Sequence, residues 1–275
     1  MDPVHFHNLE NCTLTTCLVT LAQVQYAPSL AGNALYISLF GLEIFTQVLF
    51  SVRGHTWGFM VSMLCGLVLE IVGYVARIRM HFNPAKKAPF AISGPWYLVA
   101  ITLGPTFFTA SIYICLPHII AVDSESLSRF RPRTYTLGFI TSDIVSLVLQ
   151  AHKKQTGIDV MIAGLAFQVA SLVLFMLLCV DFVRVICKTP GSKGEDSLAL
   201  RNGTWFGGFL WSLAFSTLFI FSRCMLFRVV EVWKGFGSTL ANNEVTFMVL
   251  EGGVVAAAVV LLTVLHPGVA FGRLG

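Results

Sequence analysis

Charge is scarce in this chain. Asp, Glu, Lys and Arg make up 12% of its 275 residues, about half of the roughly 25% that keeps a soluble globular surface wet. That shortage excludes a soluble enzyme of ordinary type, a disordered protein and a nucleic-acid binder that works through a basic face. The net charge of +4 is small and scattered. Cysteine is sparse too: seven, widely dispersed, are too few for a disulfide scaffold. Several chemical signatures are missing altogether. No glycine-rich phosphate loop ends in Gly-Lys-Ser/Thr, so nothing here couples transport to ATP hydrolysis. No His-x-x-x-His or Cys-x-x-Cys pair offers metal-ligand spacing, no nucleophile elbow is present, and there is neither an arginine ladder nor a selectivity-filter motif. The expectation is a non-enzyme with no cofactor and no metal.

What the chain has in abundance is apolar sequence. Hydrophobic residues reach 56% and the mean hydropathy is +0.77. A helix crossing about 30 Å of hydrocarbon needs about 20 mostly apolar residues. Seven stretches qualify: Ser29–Phe50, Trp57–Ile78, Tyr97–Val122, Tyr135–Ala151, Ile158–Ile186, Trp205–Phe227 and Val245–His266. The fourth is the shortest and carries Ser142 and Asp143 near its middle. The runs are continuous and lack the dyad alternation of a barrel, and polar segments with turn residues punctuate them. The fold class predicted is all-α: a polytopic membrane protein, a seven-transmembrane helix bundle. Residues 1–27 form a tail, 28–268 the membrane domain and 269–275 a cytosolic tail. Residues 1–27 do not read as a signal peptide, having no cationic start, so the first span serves as its own insertion signal.

The tail contains no Lys or Arg, and Arg53 follows the first span, which places the amino terminus outside by the positive-inside rule. Summed over all loops the bias is slight, nine Lys/Arg inside against eight outside with Arg77 counted among the latter. Asn11 opens a glycosylation sequon in the tail, and Asn202 opens another on the opposite side. Only one can meet the glycosylating lumen, and Asn11 is the candidate. Cys12 and Cys17 in the same tail would be free to pair or to stay as thiols. Cys187 stands at a span end as a palmitoylation candidate or a plain thiol. Cys65, Cys115, Cys179 and Cys224 read as packing residues.

Charged groups within spans cost about 2.5–3.5 kcal/mol each on insertion scales and need a partner, a wet cavity or a proton. Here they are Glu43, Glu70, Asp143, Arg223 and Glu251, with Asn33, Gln150 and Gln168 as uncharged company. Four carboxylates against one arginine cannot pair one to one, so some must be protonated or line water. By helical rise, Glu70, Arg223 and Glu251 fall at similar depth in the outer halves of their helices and are placed to meet. Asp143, Ser146 and Gln150 lie on one face of the fourth span. That stripe reads equally as a substrate path or as an interhelical hydrogen-bond seam. Gly66 and Gly73 on the second span, and Gly252, Gly253, Ala256 and Ala257 on the seventh, mark close helix approach. Pro105 cannot donate to the Ile101 carbonyl, which bends the third span or turns that oxygen toward a cavity. His118 and His266 are single histidines near helix ends, read as caps or hydrogen-bonded groups. Arg228 and Glu231, three apart, read as a rim salt bridge.

The order of these motifs resembles that of the RTA-like family of fungal seven-span proteins, also called lipid-translocating exporters. The resemblance is carried by Tyr26, Pro28, Ser29 and Asn33; by Glu70, Gly73, Tyr74 and Arg77; by Gly104, Pro105 and Tyr113; by Asp143, Ser146, Gln150 and Ala151; by Gly164 and Gln168; by Arg223, Arg228, Glu231 and Gly235; and by Glu244, His266, Pro267 and Gly268. It covers roughly residues 26–268. The chain departs from the pattern where His152, Lys153 and Lys154 replace a glycine run, where Glu251 stands for an Asp, and where Pro117 and His118 stand near a usual Arg.

The resemblance implies translocation of amphiphilic lipids such as sphingoid long-chain bases, with resistance to toxic amphiphiles, in the plasma membrane or else a vacuolar or endoplasmic reticulum membrane. One branch of the family is associated with porphyrin uptake. Membrane lipids and an amphiphilic small molecule are the expected partners, with Glu70, Asp143, Ser146, Gln150, Arg223 and Glu251 as the candidate path. Two other readings stand beside it. Seven spans with an outside amino terminus suit a lipid or stress sensor, although the inner loops are short. An intramembrane hydrolase would need more histidines around a zinc ion than the spans contain.

Overall fold

The computed structural model describes residues 29–82, 95–123, 141, 166–167, 169–177, 179–180, 204–225, 245 and 248–268. Every regular element among them is helical. Ser29 caps the first helix, α1 (Leu30–Arg53), its side-chain oxygen accepting from the Gly32 N–H at 3.3 Å and satisfying one of the orphan donors of the first turn. The helix closes at Gly54, whose N–H returns to the Phe50 carbonyl. His55 follows at φ 50°, a conformation costly for a side chain bearing Cβ, and α2 (Trp57–Phe82) begins at once. After α3 (Pro95–Asp123) come α4 (Thr204–Ser222) and α5 (Val254–Val264). Residues 166–167, 169–177 and 179–180 are also helical.

Among the described residues, three stretches are long and apolar enough to cross a membrane: Leu30–Arg53, Trp57–Arg79 and Gly207–Met225. Leu103–Cys115 and Met248–Val264 are shorter apolar helices. The chain is an all-α polytopic membrane protein. The second span runs four residues past the expected Ile78. The fourth expected span, except Thr141, lies outside the described residues.

The described helices pack as a closed circuit. α2 lies between α1 and α3, α3 touches α4, α4 lies along α5, and α5 returns to α1. Small residues set the α2–α3 contact. At Gly66 a methyl would run into the Phe108 ring, and at Gly73 into Ile101, so both glycines are where α3 side chains seat on α2. This is the role the heptad spacing suggested. Along α4 and α5 the contact is hydrogen-bonded as well: Ser212 Oγ donates to the Leu261 carbonyl at 2.8 Å and Ser216 Oγ to Ala258 at 3.0 Å. The core includes Phe40, Phe59, Met63, Leu67, Phe108, Phe175, Phe209 and Leu262. Outward faces carry Leu42, Phe45, Val61, Trp211 and Phe215. Cys115 and Cys224 are buried as expected, but Cys65 is exposed on α2 and packs nothing inside the bundle.

Candidate functional site

Glu70, Arg223 and Glu251 come together in the interior, on α2, at the end of α4 and just before α5. Their exposures are 0%, 2% and 0%. Arg223 Nε forms an ion pair with Glu251 Oε2. Its Nη2 donates to the Ile101 carbonyl at 2.7 Å. Glu70 lies within electrostatic reach of the same guanidinium, and Tyr74 within reach of all three charged groups. Removing charges from water is costly, and geometry must recover that cost. Here the guanidinium has a carboxylate and a backbone oxygen as firm acceptors.

The Gly104–Pro105 pair explains how α3 contributes. Pro105 has no N–H for the carbonyl four residues back, so Ile101 offers its oxygen to Arg223 instead of to its own helix. Gly104 makes room for the acid: a methyl there would stand 2.6 Å from Glu70 Oε1. One dipeptide therefore serves two members of the cluster. The proline alone was conspicuous in the sequence; the partner of the freed carbonyl was not.

Both ends of the ion pair sit in unusual backbone. Met248–Gly253, which carries Glu251, is a π-helical turn, and the chain at Arg223, Cys224 and Met225 is π-helical too. Such turns hold one residue more than an α-turn and are frequent at functional sites. Tyr36 on α1 reaches across to the first of them, its hydroxyl donating to the Met248 carbonyl at 2.7 Å. Its ring stacks on Tyr74 at 5.2 Å, and Phe40 adjoins both. Gly252 lets these rings close over the turn, since a methyl there would stand 2.5 Å from the Tyr36 ring and 2.8 Å from the Tyr74 oxygen.

Arg77 corrects the sequence reading. It was counted as a loop cation, yet it lies inside α2 at 1% exposure, and its Nε donates to Asn33 Oδ1 at 3.3 Å. The described interior thus holds two arginines, not one. The overlooked signal was spacing: Glu70, Tyr74 and Arg77 at i, i+4 and i+7 share one helix face. Glu43 stands apart, on the α1 face that Thr46 and Thr263 approach.

The His266–Pro267–Gly268 motif builds a second polar node where the other ends of α1 and α5 meet. Gly268 N–H donates to His266 Nδ1 at 2.9 Å, so Nε2 is the protonated nitrogen. It donates to Ser51 Oγ at 3.0 Å, which also accepts from Gln47 Nε2 at 3.3 Å, and Thr263 joins through Gln47 Oε1. Phe59 meets the imidazole edge-on. This node is the hydrogen-bonded histidine expected from sequence. Tyr113 packs its ring on Phe175 at 4.7 Å. Among the described residues no group of three His, Cys, Asp or Glu is placed to hold a metal ion. Asn11, Asp143, Ser146, Gln150, Arg228 and Glu231, with Gln168, Cys12, Cys17 and Cys187, lie outside the described residues.

These features define a polytopic helical membrane protein with a buried ionic cluster. The family model described as RTA1 like protein matches residues 63–273, and the chain belongs to that family. It is 30% identical to the sphingoid long-chain base transporter RSB1 of Saccharomyces cerevisiae (strain Lalvin EC1118 / Prise de mousse), over 89% of this chain and 73% of the relative. It is 26% identical to protein RTM1 of the same species, over 71% and 63%. It is likewise 26% identical to protoporphyrin uptake protein 1 of strain ATCC 204508 / S288c, over 70% and 63%. No solved structure matches.

Proposed function

We propose that this protein translocates cationic amphiphilic lipids, of the sphingoid long-chain base class, across its membrane and so confers tolerance of toxic amphiphiles. The observation that carries the reading is the meeting of Glu70, Tyr74, Arg223 and Glu251 inside the bundle. A sphingoid base presents an ammonium and hydroxyls ahead of a long tail. Glu251 and Glu70 are acceptors for the ammonium, Tyr74 suits a hydroxyl, and apolar helix faces suit the tail. Similarity to a sphingoid long-chain base transporter over most of the chain supports the same reading. Asp143, Ser146 and Gln150 continue the path on the fourth span in this proposal.

The test is transbilayer movement of a fluorescent sphingoid base in liposomes holding the purified protein, without ATP, with and without a pH gradient. Wild type is expected to move it faster than empty liposomes. Glu251→Gln, folded by gel filtration, is expected to lose at least about tenfold in rate, because one charge-assisted contact is worth about 1.5–3 kcal/mol. Glu251→Asp is expected to keep it. No movement by folded wild-type protein under any gradient overturns the reading and favours a sensor.

The proposal sets the chain in the plasma membrane with its amino terminus and Asn11 outside. Counted without buried Arg77, the loop cations of that orientation are nine inside to seven outside. An endoglycosidase-sensitive gel shift that vanishes in Asn11→Gln is the expected result; a shift that persists in Asn11→Gln but vanishes in Asn202→Gln reverses the orientation.

A further inference from the structure

We propose that the π-turn Met248–Gly253 is a register switch: locked by Tyr36 it gives Glu251 to Arg223, and unlocked it turns that carboxylate over to the ammonium of a cationic amphiphile. The inference rests on the reading of Glu251 as the amine acceptor.

The geometry has three parts. The first is an anchored side. α5 is pinned to α4 by Ser212 and Ser216, through the Leu261 and Ala258 carbonyls, and to α1 by Thr263 on Gln47. If the extra residue of the π-turn is absorbed into α-helix, the pinned side stays. The residues ahead of Val254, Glu251 among them, must then turn by up to about 100° and slide about 1.5 Å, one residue's rotation and rise. A rotation of that size takes the carboxylate off Arg223.

The second part is a lock. A π-turn is disfavoured against α-helix unless something holds it. Tyr36 does so from a different helix, with its hydroxyl on Met248, the residue that opens the turn. Its ring lies over Gly252. The third part is what waits on each side. Arg223 retains the Ile101 carbonyl at 2.7 Å when Glu251 leaves, and Glu70 lies within electrostatic reach, so the guanidinium is not abandoned. Tyr74 Oη is fully buried beside Gly252, with no hydrogen-bond partner among the described residues. It is a ready second contact for a polar head that takes Glu251. A stable ion pair that opens by a small register shift is a bistable element that a ligand can bias.

The test reads Glu251 directly in the full-length protein in liposomes. Dicyclohexylcarbodiimide modifies membrane carboxyls that are not ion-paired, and mass spectrometry of the peptide carrying Glu251 gives the rate. Protein denatured in dodecyl sulfate sets the full signal. Tyr36→Phe keeps the stacked rings and deletes the lock. It is expected to raise the rate about fivefold, the population shift that loss of one neutral hydrogen bond produces. Gly252→Ala, which must displace the Tyr36 ring and its hydroxyl from the turn, is expected to raise it without deleting the hydroxyl group. N,N-Dimethyldodecylamine, cationic at neutral pH but unable to form a stable amide with an activated carboxyl, is expected to protect the released carboxyl, and dodecane is not. Wild-type rates in both folded variants overturn the switch, even if wild-type liposomes move the sphingoid base. Raised rates without protection by N,N-dimethyldodecylamine overturn the ligand half. Absent movement in wild type, with protection intact, overturns transport but leaves the switch standing.

Discussion

Arg223→Met is expected to destabilise the folded protein by about 3–5 kcal/mol, because removing one partner of a buried ion pair leaves the other charge uncompensated. Glu251 would then sit at 0% exposure without the guanidinium that now pairs with it. The Ile101 carbonyl would also lose the Arg223 Nη2 donor, and Pro105 has no N–H to replace it. The paired change Arg223→Met with Glu251→Leu should recover most of the loss, since an apolar replacement of both partners is often neutral or better. Recovery should stop short of wild type by about 1–3 kcal/mol, the cost of one buried acceptor left without a donor. Thermal melts in detergent, read as the fraction that stays monodisperse, would rank the three proteins. A single variant as stable as wild type would mean that the pair carries no net weight. The double variant separates folding from function: it should be well folded and move no sphingoid base.

Gly54→Ala is expected to cost about 3 kcal/mol or more, at the upper end of overpacking. The turn between α1 and α2 lies against the chain end of α5 with backbone on both sides. A methyl on Gly54 would drive into the Cα of Gly268, and one on Gly268 would stand 2.9 Å from the Cα of Gly54. Neither neighbour is the loose end of a side chain, so relief requires the two segments to part. Parting them would pull His266 from Ser51 and Gln47. Gly41→Ala is the control, because nothing lies within 4 Å of that position; it should be neutral or gain about 0.5–1 kcal/mol from helix propensity. The same melts check the pair, and an unchanged midpoint for Gly54→Ala would show that the turn shifts freely.

The two predictions bear on opposite ends of α1, and the sequence foreshadowed them unequally. Apolar runs of span length placed α1, α2, α3 and α4 within a few residues, because a bilayer demands a continuous apolar helix and the composition leaves no other use for such runs. Rise per residue was enough to set Glu70, Arg223 and Glu251 at one depth. It was not enough for Arg77, which lies near a span end and was counted with the loops, although it shares a face with Glu70 and Tyr74. Asp143 and its stripe are read from the sequence alone.

Composition and periodicity by themselves determined that the chain is helical, lies in a membrane and carries acids that need company there. They could do so because the hydrocarbon is a uniform solvent that acts on each residue separately. Tertiary structure alone decided the partners. That Arg223 pairs with Glu251 while Ile101 supplies its oxygen, that Gly104 admits Glu70, and that Tyr36 holds a π-turn 212 residues away all depend on contacts between distant helices. Such contacts follow from which faces meet and how closely, and a one-residue insertion in a helical turn changes the face without changing the composition.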